Sequence, residues 1–256
     1  KLGLKKGERL ALMGDPCEEH VICEMAAQAV GAIPYGIYPT SSQKELRYLL
    51  THGGASMFVG QNQEFIDRIL PFRDQFSHLR YIVILDAKGT FMVDHSFLVS
   101  FQDLCRDGEK EVSSKLELFE EQVHQIKPTD NSFILYTSGA TGDPKGVLIS
   151  HGKHLAAVYT FMNRYPILAE SSHRTVVHLP LADLLGKITA ITLPLLSRVI
   201  PHYGESIEDI AQTNFEIAPT VLFTVPRFLQ KFASNITASI ENSTPLKKFL
   251  YSQAVK

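Results

Sequence analysis

The fold of this chain is constrained most by an alternation that begins at residue 9: a short β-favouring apolar run, a turn signal, then a helical pattern. Arg9-Leu-Ala-Leu-Met13 reads as a strand, Gly14-Asp15-Pro16 as a turn, and residues 18–30 as a helix ended by Gly31. Ser42 followed by Glu45 has the spacing of a capping box for a helix that runs toward His52 and stops at Gly53-Gly54. Residues 55–59 then form a buried strand, 65–72 suggest a helix, 81–85 a strand and 86–90 a polar turn. Strands separated by helices run parallel and have both sheet faces covered. The expected class is therefore α/β, with mainly parallel sheets covered by helices.

The alternation loosens further along. Residues 107–132 are rich in charge, carry a helical segment near 115–125, and read as a solvated excursion. Ser150 suits the cap of a helix over 152–163, 175–179 reads as a strand, and a helix follows around 184–193. Residues 199–202 make another strand, and Ser206 with Asp209 caps a helix ending near Asn214. Residues 220–224 are β-branched and apolar, and Pro226 suits the first turn of a helix reaching about Ile236. No internal repeat or low-complexity tract interrupts the series.

Composition narrows the function classes. With 256 residues, 45% hydrophobic and 20% charged, the chain can bury a sizeable core. Its 25 basic and 27 acidic side chains are spread without long blocks, so no electrostatic footprint for nucleic acid is present. Cys17, Cys23 and Cys105 are odd in number and lack metal-type spacing, which reads as reduced thiols of an intracellular protein. No secretory signal opens the sequence, and the stretch 188–200 is too short to span a bilayer and is interrupted by Pro194 and Arg198. The expected location is cytoplasmic, with peripheral attachment to a membrane left open.

The chemistry concentrates in Tyr136-Thr-Ser-Gly-Ala-Thr-Gly-Asp-Pro-Lys-Gly-Val147. Residues 133–136 read as a buried strand and 147–149 resume the apolar pattern, so this loop joins two extended segments. Glycines at 139, 142 and 146 permit positive φ and close backbone approach, so amide N–H groups can converge on phosphate oxygens. Thr137, Ser138 and Thr141 add hydroxyls, and Lys145 adds a point charge. A Walker A loop is excluded, because Pro144 takes the place of the glycine before the lysine and Gly146 that of the magnesium-holding Ser/Thr. A serine hydrolase is excluded too, since Ser138 does not sit in a G-x-S-x-G elbow. His151 and His154 have helical i, i+3 spacing but no carboxylate or cysteine partners, and read as polar helix-start residues, not as a zinc site.

The stretch resembles the signature loop of the AMP-forming adenylating enzymes, Y-T-S-G-T-T-G-x-P-K-G-V, departing from it at Ala140, where the first of the paired threonines stands in the family. The resemblance is collinear over essentially the whole chain. Lys5 to Leu12, Ala29 to Pro34, Leu179-Pro-Leu-Ala182, His202 to Ser206, Pro219-Thr220, Val225-Pro-Arg227 and Pro245 to Leu250 follow in the order seen in long-chain fatty acyl-CoA synthetases. It implies part of the large N-terminal AMP-binding domain, with the adenine- and ribose-binding motifs, the magnesium-holding Glu and the mobile C-terminal domain beyond the matched region. Residues 1–256 are on that reading an N-terminal fragment that does not complete the reaction by itself. The implied substrates are a fatty acid, ATP with magnesium, and coenzyme A. The implied phosphate-binding residues are Thr137, Ser138, Gly139, Ala140 through its backbone N–H, Thr141, Gly142 and Lys145, with no catalytic residue outside the loop. A second departure falls at Asp183, where the long-chain enzymes carry His; it reads as a helix cap or as altered geometry on the acyl side. Two alternatives stay open: a nucleotide- or acyl-binding remnant without ligase turnover, and an adenylating ligase for another carboxylic acid.

Overall fold

The computed structural model describes residues 2–90, 97–137, 142–206 and 209–255, with their side chains except those of 113–116. The chain divides into two compact units, Lys1–Val221 and Leu222–Lys256. In the first, strands β1 (Arg9–Met13), β2 (Ile33–Ile37), β3 (Ala55–Gly60), β4 (Tyr81–Ile84), β5 (Leu98–Ser100), β6 (Asn131–Thr137) and β7 (Lys145–Ser150) form one sheet in the order β5-β4-β3-β1-β2-β6-β7. Every neighbouring pair is parallel except β6–β7, which is antiparallel. Strands β8 (His173–Val177) and β9 (Val199–Tyr203) pair in parallel as a second sheet. This is the helix-covered, mostly parallel α/β architecture that the alternation dictates.

The central strand shows why. Along β1, Ala11 and Met13 pack on one face with Tyr35, Ile37, Leu46, Leu49 and Phe58, while Leu10 and Leu12 pack on the other with Ala27, Met57, Val59 and Val83. Both faces are dry, so the strand needs no polar alternation, and each fully buried leucine or phenylalanine contributes roughly 1.5–3 kcal/mol. Helix Gln43–Gly53 covers the first face through Leu46, Leu49 and Leu50. Its start is fixed by the expected capping box: the Glu45 N–H donates to Ser42 Oγ at 3.2 Å, and the Ser42 N–H to Glu45 Oε2 at 2.7 Å.

Several elements differ from expectation for local reasons. Residues 65–72 are not one helix: an α-turn Gln63–Asp67 gives way to a 3₁₀ helix Leu70–Gln75, because Pro71 has no N–H to continue the α ladder. The charged excursion contains a longer helix than its pattern suggests, Phe101–His124, started by the Asp103 N–H donating to Ser100 Oγ and preceded by the unanticipated strand β5. The helix around 184–193 is divided into Leu184–Lys187, a π-helical turn Ile188–Thr192 and Leu193–Leu196. There Thr189 Oγ1 donates back to the carbonyls of Leu185 and Gly186, competing with the α ladder. Residues 220–224 form no strand: the N–H groups of Thr220 and Val221 both converge on the Arg174 carbonyl, and Thr220 Oγ1 takes up the Arg174 N–H, so no ladder is begun. The helix Ile210–Ile217 has Asp209, not Ser206, at its N-cap, and makes no side-chain cap bond there.

In the second unit, helices Pro226–Glu241 and Pro245–Ala254 each carry a proline in the first turn. Among the described residues no helix is long and apolar enough to cross a membrane.

Candidate functional site

The hairpin β6–β7 rises out of the sheet. Tyr35 of β2 pairs with Ile134, and Ser132 and Phe133 are buried, but exposure grows along β6 until Thr137 lies in solvent, as do Lys145 to Leu148 on the returning strand. Register places Thr137 opposite Lys145 and Tyr136 opposite Gly146. A side chain at 146 would meet Ile134 Cγ2 at 3.0 Å and the Tyr136 ring at 3.3 Å, so glycine there makes room for the tyrosine. Gly142 has φ +105°, a backbone state that side chains disfavour. Of the residues expected to meet phosphate, the structure brings Thr137, Gly142 and Lys145 to the exposed end of the hairpin. Ser138, Gly139, Ala140 and Thr141 lie outside the described residues. Among the described residues Lys145 makes no ion pair, and Thr137 Oγ1 lies 3.5 Å from the Lys145 carbonyl. An exposed cation, an exposed hydroxyl and a positive-φ glycine at one end of the hairpin suit an incoming polyphosphate.

Aromatic side chains hold the base of this hairpin. Tyr136 is tilted against Tyr35 with ring centroids 5.5 Å apart, and its hydroxyl is 2.9 Å from His52 Nδ1. Burial pushes the Tyr136 pKa up to about 12, so the phenol keeps its proton. Tyr48 Oη donates to the Pro144 carbonyl at 3.0 Å, and Tyr35 Oη to the Leu49 carbonyl at 3.0 Å. Sequence reasoning missed Tyr48 and His52. Their i, i+4 spacing on a capped helix was the available signal, though nothing local says which strand they face.

Asp183 and its neighbours form a second polar region. The segment 179–187 lies directly on β2: a Cβ on Gly36 would sit 2.5 Å from Ala182 Cα. Asp183 occupies the N-cap position of Leu184–Lys187, but its carboxylate caps nothing and instead accepts a hydrogen bond from the Tyr38 hydroxyl. The expected capping role is thus corrected. Burial first, and then that carboxylate, raise the Tyr38 pKa. Deeper in, Lys187 Nζ donates to Glu24 Oε1 at 2.5 Å, with the two side chains 2% and 1% exposed, and also lies 5.3 Å from the Phe133 ring centroid. Glu24 Oε2 and His20 Nε2 are buried without hydrogen-bond partners among the described residues. Burial, reinforced by Lys187, pushes the His20 pKa down to about 3.

His151 and His154 do not converge on a common ligand. His154 Nε2 lies 2.6 Å from Thr192 Oγ1, and its ring meets Phe133 edge to face at 5.0 Å. Burial lowers the pKa of both histidines. Among the described residues no three His, Cys, Asp or Glu side chains are grouped to hold a metal.

A family model described as AMP-binding enzyme matches residues 1–254. A long-chain-fatty-acid–CoA ligase of Xenopus laevis is 26% identical over 253 residues, covering 97% of this chain and 34% of that protein. Fatty acyl-CoA synthetase A of Dictyostelium discoideum is 26% identical over 257 residues, covering 98% and 37%. The chain thus spans little more than a third of the length of these relatives. Among solved structures, the A-PCP didomain of a carboxylic acid reductase from Segniliparus rugosus, in complex with AMP, superposes with a TM-score of 0.68 at 16% identity, covering 98% of this chain and 37% of that one. That likeness establishes a shared fold.

Proposed function

This chain belongs to the AMP-binding enzyme family, and from that premise we propose that it is part of the N-terminal AMP-binding domain of an enzyme that activates a long-chain fatty acid. A fatty-acid carboxylate oxygen attacks the α-phosphorus of ATP, the bond to the bridging oxygen breaks, and pyrophosphate leaves with that electron pair. The sulfur of coenzyme A then attacks the acyl carbonyl carbon, AMP departs, and the thiol proton passes to solvent.

Within this chain the work is electrostatic. Lys145 and the Thr137 hydroxyl, with the backbone at Gly142, disperse the charge that builds on the departing pyrophosphate, and Ser138, Gly139, Ala140 and Thr141 complete the set through hydroxyls and amides. The observation that carries this reading is the pairing of Thr137 with Lys145 at the exposed end of the hairpin, which bounds the glycine- and hydroxyl-rich turn. The fatty-acid assignment draws on the long-chain ligases named above as relatives.

Radiolabelled pyrophosphate exchange into ATP by the intact protein tests it. Exchange that depends on added long-chain fatty acid is expected; exchange with aryl or amino acids only would replace the substrate assignment. A second reading, binding without turnover, draws on Ala140 in place of a threonine. It requires nucleotide binding with no exchange for any carboxylic acid.

A further inference from the structure

Tyr48 and His52 project from one face of the helix Gln43–Gly53, one turn apart, with their rings stacked at a centroid distance of 5.2 Å and an interplanar angle of 21°. From that face they reach opposite legs of the hairpin. Tyr48 Oη donates to the Pro144 carbonyl just before β7 begins, and His52 Nδ1 shares a hydrogen bond with the Tyr136 hydroxyl just before β6 ends. The helix is itself immobilised by its capping box, by the buried Leu46, Leu49 and Leu50, and by the Tyr35 hydroxyl on the Leu49 carbonyl. A rigid element thus grips an exposed one at two points, on either side of the turn. Beyond Phe133 the burial of β6 declines, with Ile134 and Tyr136 only partly buried where they pack against the core, so these side-chain bonds reinforce apolar packing where it thins.

We propose that Tyr48 and His52 are positioning residues that hold the two legs of the turn at the spacing its donors need to converge on pyrophosphate. The chemical half of this inference rests on the adenylation reading; the mechanical half rests on the hairpin geometry alone. Donors already in place cost no ordering when charge develops, whereas a loop displaced by about 1 Å can lose up to ~100-fold in rate. Neither residue touches the substrate. Both act through Pro144 and Tyr136.

Three variants of the intact protein separate this role from simple structural support. Tyr48→Phe keeps the ring stack and removes only the hydroxyl. His52→Ala removes the partner of Tyr136, and His52→Asn restores a polar atom near the position of Nδ1. Amide hydrogen exchange over 136–137 and 142–147 reads the hairpin, with β1 and β3 as internal references. Pyrophosphate release and thioester formation from preformed acyl-adenylate read the two half-reactions. Tyr48→Phe and His52→Ala are expected to speed hairpin exchange selectively and to raise the KM for ATP or slow pyrophosphate release by roughly two- to tenfold each, the range that one neutral hydrogen bond commands. Thioester formation stays at the parent rate, and His52→Asn recovers most of the loss. Unchanged hairpin exchange overturns the proposal, as does faster exchange with parent adenylation kinetics, or equal slowing of both half-reactions. A parent protein that releases no pyrophosphate refutes the adenylation reading instead; the exchange comparison then decides the positioning role by itself.

Discussion

Lys187 and Lys145 carry the same ammonium into opposite surroundings. Lys187 is enclosed with Glu24 and faces the Phe133 ring, in a region where the segment 179–187 is pressed onto β2. Lys145 stands in solvent at the end of the hairpin, without an ion pair among the described residues. Taking two charges out of water costs several kcal/mol each, and their attraction offsets this only when geometry and hydrogen bonding are good. The first lysine is therefore committed to architecture, joining two helices 163 residues apart in sequence. The second keeps its hydration, which an anionic ligand can displace with little to undo. Burial with a partner marks a structural cation here, and exposure without one marks a functional candidate.

The largest effect that tests this contrast is expected at Glu24. Glu24→Ala leaves Lys187 buried and unpaired and should cost about 3–5 kcal/mol in urea unfolding, whereas the double change Glu24→Leu with Lys187→Met should recover much of it, because an apolar pair avoids desolvation. A single-variant loss under about 1 kcal/mol would break the comparison. Next is the pH dependence of the same region. His20 in the unfolded chain takes up a proton near 6.5, while the folded one resists until about 3, so stability falls as pH drops through that window. The slope attributable to this one group is roughly 1.4 kcal/mol per pH unit. His20→Leu should remove that part of the slope; an unaltered slope would show that His20 is not held neutral.

On the hairpin the effects move from stability to rate. Lys145→Met should slow pyrophosphate release by roughly ten- to a hundredfold, as befits a charge-assisted hydrogen bond made in the transition state, with unfolding free energy within ~0.5 kcal/mol of the parent. Equal losses in stability and rate would erase the distinction between the two lysines. Thr137→Ala is the smallest, roughly two- to fivefold on the same step with thioester formation unchanged, since only one neutral hydroxyl is lost. Stopped-flow detection of pyrophosphate resolves both.

Most of the sheet was legible because its signals are local, though β2 and β5 were not among the expected strands. The period of the apolar runs, the Ser42/Glu45 box and the Gly53-Gly54 stop each depend on a few neighbouring residues, and each element formed where they point. The failures are places where a distant or subtle partner outcompetes local preference. Residues 220–224 have strand composition, yet Arg174 captures the amides that would begin the ladder. The 184–193 stretch is helical in pattern, but the Thr189 hydroxyl and Pro194 reshape it into α and π turns. At the candidate site, residue types alone nominate the hydroxyls, glycines and lysine between β6 and β7. What grips that turn was not legible, because Tyr48 donates to a backbone carbonyl 96 residues away and His52 meets a hydroxyl 84 residues away, contacts that no local period encodes. The Tyr38 bond that takes Asp183 from its cap is of the same kind, spanning 145 residues.

The antiparallel step between β6 and β7 also sets an order of assembly. Every other pairing in the large sheet joins parallel strands, and each must wait for a long crossover to close and dock. The β6–β7 pair needs only its own short turn, and hairpins zip in about 1–10 μs. Alone such a ribbon is at best marginally stable in water, so it is expected to form and dissolve repeatedly until β2 and the helix Gln43–Gly53 arrive to hold it. The hairpin proposed to meet phosphate is thus among the earliest parts to be sampled and the latest to be fixed.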